Sequence, residues 1–469
     1  MSQMYLTRLL IETTAPLAIN SSGRETGFDS QLARDANQLP YIPATSLAGV
    51  WRHLVHSCVG ADASKHWFGC VEDNGESSRL FVQDGLLLDS QGHIVQGLVE
   101  AERIAADPLL QRLQQTRPHH RERVRINDRG VASDMGKFDQ IILPTGIRFC
   151  IDIRWMSDDI SESDRQEWQQ LLSYFAHPAF ALGSSTRNGL GRFKIIADEQ
   201  NILTLTNNPS AGAALRKFVK RESLPTKVSS IANDHRPFAR LEITALDSWR
   251  CGQGSRPLGD KTDQHTDSFT YSEPTVRWHK GKAHWNDHPQ AILCGSGIKG
   301  ILAHRLAYHY RRRKGAYAEI MAEASHQEWD SRPQELGQLL GSSREKNCAG
   351  SSEKEVAGQL FVDDAVIVCD KTLIRTHNSI DRFTGGVRQG ALFSEELLWQ
   401  PKIALTLRLA SNAKISQTLA DALADTLEDL KLGLLPLGAG SGRGNSLVEH
   451  QTGQIWDIDW AQLTILAQE

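Results

Sequence analysis

The chain has 469 residues, 40% of them hydrophobic and 23% charged, an ordinary globular composition at a length that suits about two to three domains. Its 52 Lys and Arg against 56 Asp and Glu give a formal charge of −4, which excludes a protein that coats nucleic acid indiscriminately through a strongly basic surface. No apolar run approaches roughly 18 residues, and the N-terminus lacks a basic stretch before an apolar core, so neither a membrane span nor a signal peptide is expected. Net charge hides local fields, and three basic clusters stand out: "RPHHRERVR" (117–125), "RKFVKR" (216–221) and "HRLAYHYRRRKG" (304–315). Seven cysteines without close pairs (Cys58, Cys70, Cys150, Cys251, Cys294, Cys348, Cys369) fit a reducing, cytoplasmic setting in which most thiols fill space.

In chain order, "LTRLLIE" (6–12) predicts a strand. Leu47, Val50, Trp51, Leu54, Val55 and Cys58 recur at helical spacing behind Thr45 or Ser46 as N-cap. Strands are expected near 79–88 and 146–154, then a helix with the stripe Trp168, Leu171, Leu172 and Phe175. The loop "GSSTRNGLG" (183–191) and the strand "RFKII" follow. Residues 204–237, with Asn207, Asn208, Pro209, Pro225 and Pro237, read as a linker. The same order then begins again. "FARLEITAL" predicts a strand, and Ile298, Ile301, Leu302 and Leu306 a helix behind Ser296. Strands are expected near 359–368 and 403–410, and a helix along Ile415, Leu419, Leu423, Leu427 and Leu430. "GAGSGRGNS" (438–446) and "SLVEH" close the second unit.

Gly49 matches Gly300, Phe81 matches Phe361, Asp128 and Arg129 match Asp381 and Arg382, and Gly183 matches Gly438, with offsets of 251 to 280 residues. Four matches in one order indicate a duplicated unit. The expected division is 1–203, a linker at 204–237, and 238–469 with insertions near 251–290 and 311–357. Each unit has the β-α-β-β-α-β order of a ferredoxin-like (RRM-like) α+β domain. Two helices would cover one sheet face and leave the other free, a surface that single-stranded RNA often occupies.

The loop at 438–446 lacks the G-K-[ST] ending of a phosphate-binding Walker loop, and it follows the turn-like "LPLG" instead of opening a helix. Glycine removes the Cβ, which lets a polyanionic backbone approach main-chain N–H groups. A helix N-terminus adds unpaired donors and a favourable dipole, and arginine adds a charged fork. Residues of these kinds at the helix starts and in the glycine loops are Ser46, Gly49, Arg52, His53, Arg187, Gly189, Arg192, Ser296, Lys299, Gly300, Gly440, Gly442, Arg443 and Gly444, and the family resemblance given next implies that they hold RNA phosphates. Arg52 or His53 stands in for Lys299, because the first copy has Ala48 at that place. Read alone, Ser46 and Ser296 are equally well ordinary N-caps. Contacts of this kind are blind to base sequence.

"PYIPATSLAGVWRH", "DRFTGGVRQGALFSEELL" and the glycine loops resemble the RAMP superfamily, specifically backbone subunits of type III CRISPR effector complexes, here two fused in tandem. The resemblance implies a modified fold without the usual aromatic base-stacking signature, binding CRISPR guide RNA along a filament. It implies partners: other backbone subunits, a large subunit, small subunits and a separate repeat-processing endonuclease. It also implies a thumb β-hairpin in each copy, at 127–145 and 380–398, based on Asp128, Arg129, Asp381 and Arg382 and carrying Phe383. "TGFDSQLARDANQLPYIPATSLAG" resembles the family's target-cleaving loop and puts Asp29 at the matching position, where a loop Asp is otherwise a turn cap.

The implied reaction cleaves complementary target RNA with a loosely bound Mg2+ or Mn2+ at Asp29, leaving a 2′,3′-cyclic phosphate and a 5′-hydroxyl. In the second copy Ser272 stands opposite Asp29, beside Glu273. Among Asp260, Asp263, Asp267 and Asp287, Asp267 is the candidate, unless this copy is a non-cutting spacer. Asp363 and Asp364 read as structural, and His119, His120, His304 and His309 lack the spacing of a zinc site. Two alternatives remain open: a non-catalytic guide-RNA scaffold, or a precursor CRISPR RNA endonuclease relying on His53 or His56.

Overall fold

A computed structural model describes residues 3–466 except 22, 24–29, 72–74, 128–130, 158–160, 206–208, 233, 260–265, 321, 324, 326–332, 343–355 and 412. The first unit runs β1 (Gln3–Thr13), α1 (Ala44–Val59), β2 (Leu80–Val82), the hairpin β3 (His119–Ile126) and β4 (Ala132–Ile142), β5 (Arg148–Ser157), α2 (Glu162–Ser173) and β6 (Phe193–Thr204). A connecting helix, α3 (Pro209–Val219), follows. The second unit runs β7 (Ala239–Ala245), α4 (Gly295–Arg313), β8 (Leu360–Val362), the hairpin β9 (Thr372–His377) and β10 (Phe393–Trp399), β11 (Lys402–Leu409), α5 (Gln417–Lys431) and β12 (Val448–Glu449).

The first sheet has the antiparallel order β2-β5-β1-β6, and the second contains the same order, β8-β11-β7-β12. The repetition extends to single residues. Phe81 lies opposite Arg154 on β5, and Phe361 opposite Arg408 on β11. Leu17 bridges Leu143 as Trp249 pairs with Leu398. The N–H of Leu182 donates to the carbonyl of Gly191, as that of Leu437 does to Ser446.

Local sequence explains these elements. In β11 the alternation "KIALTLRL" buries Ile403, Leu405, Leu407 and Leu409. In α5, Leu419, Leu423, Leu427 and Leu430 form one buried stripe. Each unit has its own core, with Trp51, Phe149, Trp168 and Leu172 in the first and Leu241, Leu405, Leu423 and Leu427 in the second. Burying side chains of this size contributes roughly 1.5–3 kcal/mol each.

Several expectations need correction. The helix α1 starts at Ala44 and α4 at Gly295, and no side chain caps either one from the N-cap position. The expected serine caps fall inside the first turn. Instead Asp84 Oδ1 accepts the Ala44 N–H at 2.7 Å, and Asp364 Oδ1 accepts the Gly295 N–H at 2.7 Å. The two hairpins start earlier than 127–145 and 380–398. Of their ascending strands, β3 is mostly exposed and β9 mostly half-buried, so no apolar alternation announces them. Ile415 lies in a short strand, Ala413–Ser416, ahead of α5. The strands expected near 79–88 and 359–368 are each split in two, as Leu80–Val82 with Leu86–Leu87 and Leu360–Val362 with Ala365–Val368.

The linker is structural too. The chain from α3 to Ser223 covers the second face of the first sheet, so that face is not free. Arg8, 1% exposed, pairs with Asp152 at 2.7 Å, donates to the carbonyls of Phe218 and Ser223, and lies 4.6 Å over the Phe218 ring. In the second unit that face keeps exposed residues on its central strands, among them Arg240, Lys402 and Ala404, whereas in the first Met156, near the end of β5, is exposed.

The insertion near 251–290 is also built in. Its hairpin, Val276–His279 with Lys282–Trp285, sends Val276 and Ala283 into the first unit's core, and Trp278 Nε1 donates to the Gly146 carbonyl at 2.8 Å. The second insertion contributes the short helix Leu336–Leu340 to the second core. Among the described residues no helix is long and apolar enough to cross a membrane, and the six described cysteines are free thiols.

Asp152 is shared between Arg8 and Arg221. Arg8→Met removes one cation from a fully buried carboxylate, and about 3–5 kcal/mol of stability is expected to go with it. Urea denaturation measures this. A variant as stable as the parent would contradict the account of this face.

Candidate nucleic-acid interface

The two units meet head to tail. The first glycine loop packs on the start of α4, so closely that a Cβ at Gly295 would overlap the Val362 carbonyl and press on Asn188 and Gly189. Gly189 has φ +101°, and a Cβ there would overlap Asp364 Oδ1. Beside this contact Arg121 of β3, 4% exposed, reaches Glu273 Oε1 at 2.5 Å and Asp364 Oδ2 at 2.6 Å. Tyr271 donates its hydroxyl to Glu273 at 2.7 Å. Burial acts to raise the Glu273 carboxyl, but Arg121 and His119 outweigh it and hold the group well below the usual carboxylate range. Burial prevails at Asp364, whose carboxyl is pushed up although Arg121 opposes.

Four expected RNA contacts are consumed in this joint. Arg187 donates to the Gly358 carbonyl and lies 5.0 Å from the Phe361 ring. Arg192, 7% exposed, pairs with Asp363 at 3.0 Å and donates to the carbonyls of Pro178 and Phe180. Lys299 is 9% exposed and donates to the Leu360 carbonyl at 3.0 Å. Gly189 faces Asp364. These residues face protein because the first loop is wedged between the start of α4 and the end of β8. Asp363 and Asp364 are structural, as expected.

The second loop is more open. Gly440 and Gly444 are left-handed, and a Cβ on Gly442 or Gly444 would meet nothing within 4 Å. The Arg443 side chain is 47% exposed, with its guanidinium 5.8 Å from the Phe393 ring. Behind it lies a polar set that sequence reasoning missed. Buried Glu395 accepts from Asn445 at 3.1 Å, contacts His377 Nε2 at 2.8 Å and lies 3.3 Å from Arg250. Arg375 donates to Asn445 Oδ1 at 2.8 Å. On α1, Gly49, Arg52 and His53 are exposed, while Ser46 and, on α4, Ser296 and Gly300 are partly exposed.

At the end of the second hairpin, Asp381 Oδ1 accepts the N–H groups of Phe383 and Thr384 at 2.9 Å each. The bridge Ile380–Val387 closes this turn, which places Asp381 and Arg382 at the tip and not the base, and leaves Phe383 100% exposed. Asp29, Asp128, Arg129, Asp260 and Asp263 lie outside the described residues. Asp267 Oδ2 accepts the Ser394 N–H at 2.8 Å, tying the insertion to β10. Among the described residues no three His, Cys, Asp or Glu converge to hold a metal ion.

The sequence matches the RAMP superfamily over residues 10–194 and again over 289–449, one match in each unit. The chain belongs to the RAMP superfamily. A solved chain in the cryo-EM structure of the type III-B Cmr-beta complex bound to cognate target RNA is similar at 14% identity and a TM-score of 0.27. That similarity covers 42% of this chain and 61% of the other, so this chain spans less than two thirds of its length. No curated protein matches by sequence.

The two RAMP units expose at their outer ends what they bury between them. Phe361 is 5% exposed in the joint, whereas its counterpart Phe81 is 53% exposed. The Asp364 side chain is 6% exposed, whereas Asp84 is exposed. Gly444, the counterpart of Gly189, faces open space.

A depressed carboxyl stabilises the fold above its unfolded titration range and loses that contribution as pH falls. Glu273→Gln is therefore expected to cost about 3–5 kcal/mol at neutral pH and to flatten the loss of stability on acidification. Denaturation at a series of pH values checks both. A variant with the parent's stability and pH profile would contradict the joint's electrostatics.

Proposed function

We propose that this RAMP protein is a backbone subunit of a type III CRISPR ribonucleoprotein that holds guide RNA and cleaves complementary target RNA. The observation that carries the reading is the repeated joint. Two RAMP units stacked head to tail, each free end bearing the counterpart of a surface buried inside, suit a subunit that takes further backbone subunits in series. Large and small subunits complete the assembly in this reading.

Guide phosphates would lie along the second glycine loop, with Gly440, Gly442, Arg443 and Gly444, and along α1, with Gly49, Arg52 and His53. Main-chain N–H groups and a half-exposed guanidinium suit an anionic backbone of any base sequence. The second hairpin, with Phe383 held out by the Asp381 turn, would serve as a thumb that wedges between stacked bases. The first hairpin would do the same one unit earlier.

Cleavage would proceed by attack of the target's 2′-hydroxyl on the adjacent phosphorus, with expulsion of the 5′-oxygen. Asp29 would position that hydroxyl or help move its proton, and in-line geometry would come from the displaced nucleotide. A divalent cation, Mg2+ or Mn2+, would stabilise charge on the phosphate. RNA oxygens must supply most of its ligands beside a single carboxylate. Asp267 is the corresponding candidate in the second unit, where its bond to Ser394 would fix it beside the thumb.

The test is reconstitution with guide and complementary target RNA, followed by mapping of product ends. Asp29→Ala is expected to remove one cut while target binding persists, and Asp267→Ala to remove a second. Unchanged cuts in both variants would leave the scaffold reading. Cutting of isolated repeat RNA, lost in His53→Ala, would favour the processing-enzyme reading.

A further inference from the structure

Each unit carries an exposed phenylalanine at the same hairpin position. Phe138 on β4 faces Arg123 across the ladder, and Phe393 on β10 faces His377. Phe138 is 46% exposed and Phe393 37%. In both units the cross-strand partner is tied through a second side chain to the glycine loop. Arg123 donates to Gln140 Oε1 at 2.8 Å and to Ser185 Oγ at 3.2 Å, and Gln140 donates to Ser184. His377 contacts Glu395, which accepts from Asn445 and lies 3.5 Å from Arg443. The His377 ring stacks on Phe393 with centroids 4.9 Å apart and planes 22° from parallel.

We infer that Phe138 and Phe393 are stacking platforms, each for one nucleobase of a single-stranded RNA. Resting on the RNA-holding reading above, this adds the class of contact that the glycine loop cannot make. A partly exposed ring on a polar hairpin offers a flat apolar face that a stacked base would remove from water. Fixing its neighbours to the loop pre-organises a flat face, and at Phe393 that face lies beside the open second loop. The ligand in which flat rings alternate with anionic linkers is a nucleic acid strand, and stacking is tolerant of base identity because every base has a π-face. The chemistry is not the same twice. A guanidinium lies across from one platform and an imidazole stacks on the other.

The experiment measures binding of the full-length chain to a single-stranded uridine RNA and to an abasic chain of the same length. Expected results are weaker uridine-RNA binding by about 5- to 150-fold for Phe138→Ala or Phe393→Ala, an equal loss for Phe→Leu, and unchanged abasic binding. Both sites are exposed, so thermal unfolding is expected to stay that of the parent. Parent protein that binds both chains alike, or variants that weaken both alike, would overturn the stacking platforms and leave the phosphate-holding reading in place. Parent protein that binds neither chain would overturn both.

Discussion

Arg121 is the point on which the arrangement of the two units depends. Its guanidinium is buried between Glu273 and Asp364, and Asp364 also accepts the first N–H of α4. A buried cation is tolerable only if its partners stay charged and in place, and here those partners belong to the second unit. The first unit supplies the cation, the glycine loop and the Arg192 contact to Asp363. The insertion hairpin returns the favour by placing Val276 and Ala283 in the first core. The units are thus joined by polar contacts on one side and an apolar strap on the other, which fixes their relative orientation more firmly than either would alone.

That joint explains why equivalent residues behave differently in the two units. Gly189 and Gly444 have nearly the same backbone conformation, yet one is pressed against a carboxylate and the other faces open space. Phe81 and Phe361 occupy the same register against arginine, yet one is exposed and the other covered by Arg187 and Arg192. A residue's availability to RNA is therefore set by its place in the series as much as by its motif.

The duplication, the element order and the buried stripes were legible in the sequence because period-2 and period-3.6 apolar patterns survive in both units. The hairpins' ascending strands were not, since "HHRERVRI" and "TLIRTH" have no buried apolar face to reveal a period. Arg187, Arg192 and Lys299 looked like phosphate ligands because residue type and a neighbouring glycine are local facts. Gly358, Asp363 and Leu360, which claim them, lie 61 to 171 residues away. Glu273 was visible only as a neighbour of Ser272, and nothing nearby points to Arg121. The helix caps were misplaced for the same reason: Asp84 and Asp364 arrive from strand ends, not from the preceding residue.

The central claim is that both units present one face to one RNA strand. Amide hydrogen exchange with and without guide RNA tests it most directly. Exchange is expected to slow at residues 438–446 and in both hairpins, 119–142 and 372–399, while residues 183–191, already packed in the joint, stay as they were. Slowing confined to a single unit, or to the exposed sheet face around Arg240, Lys402 and Ala404, would contradict it.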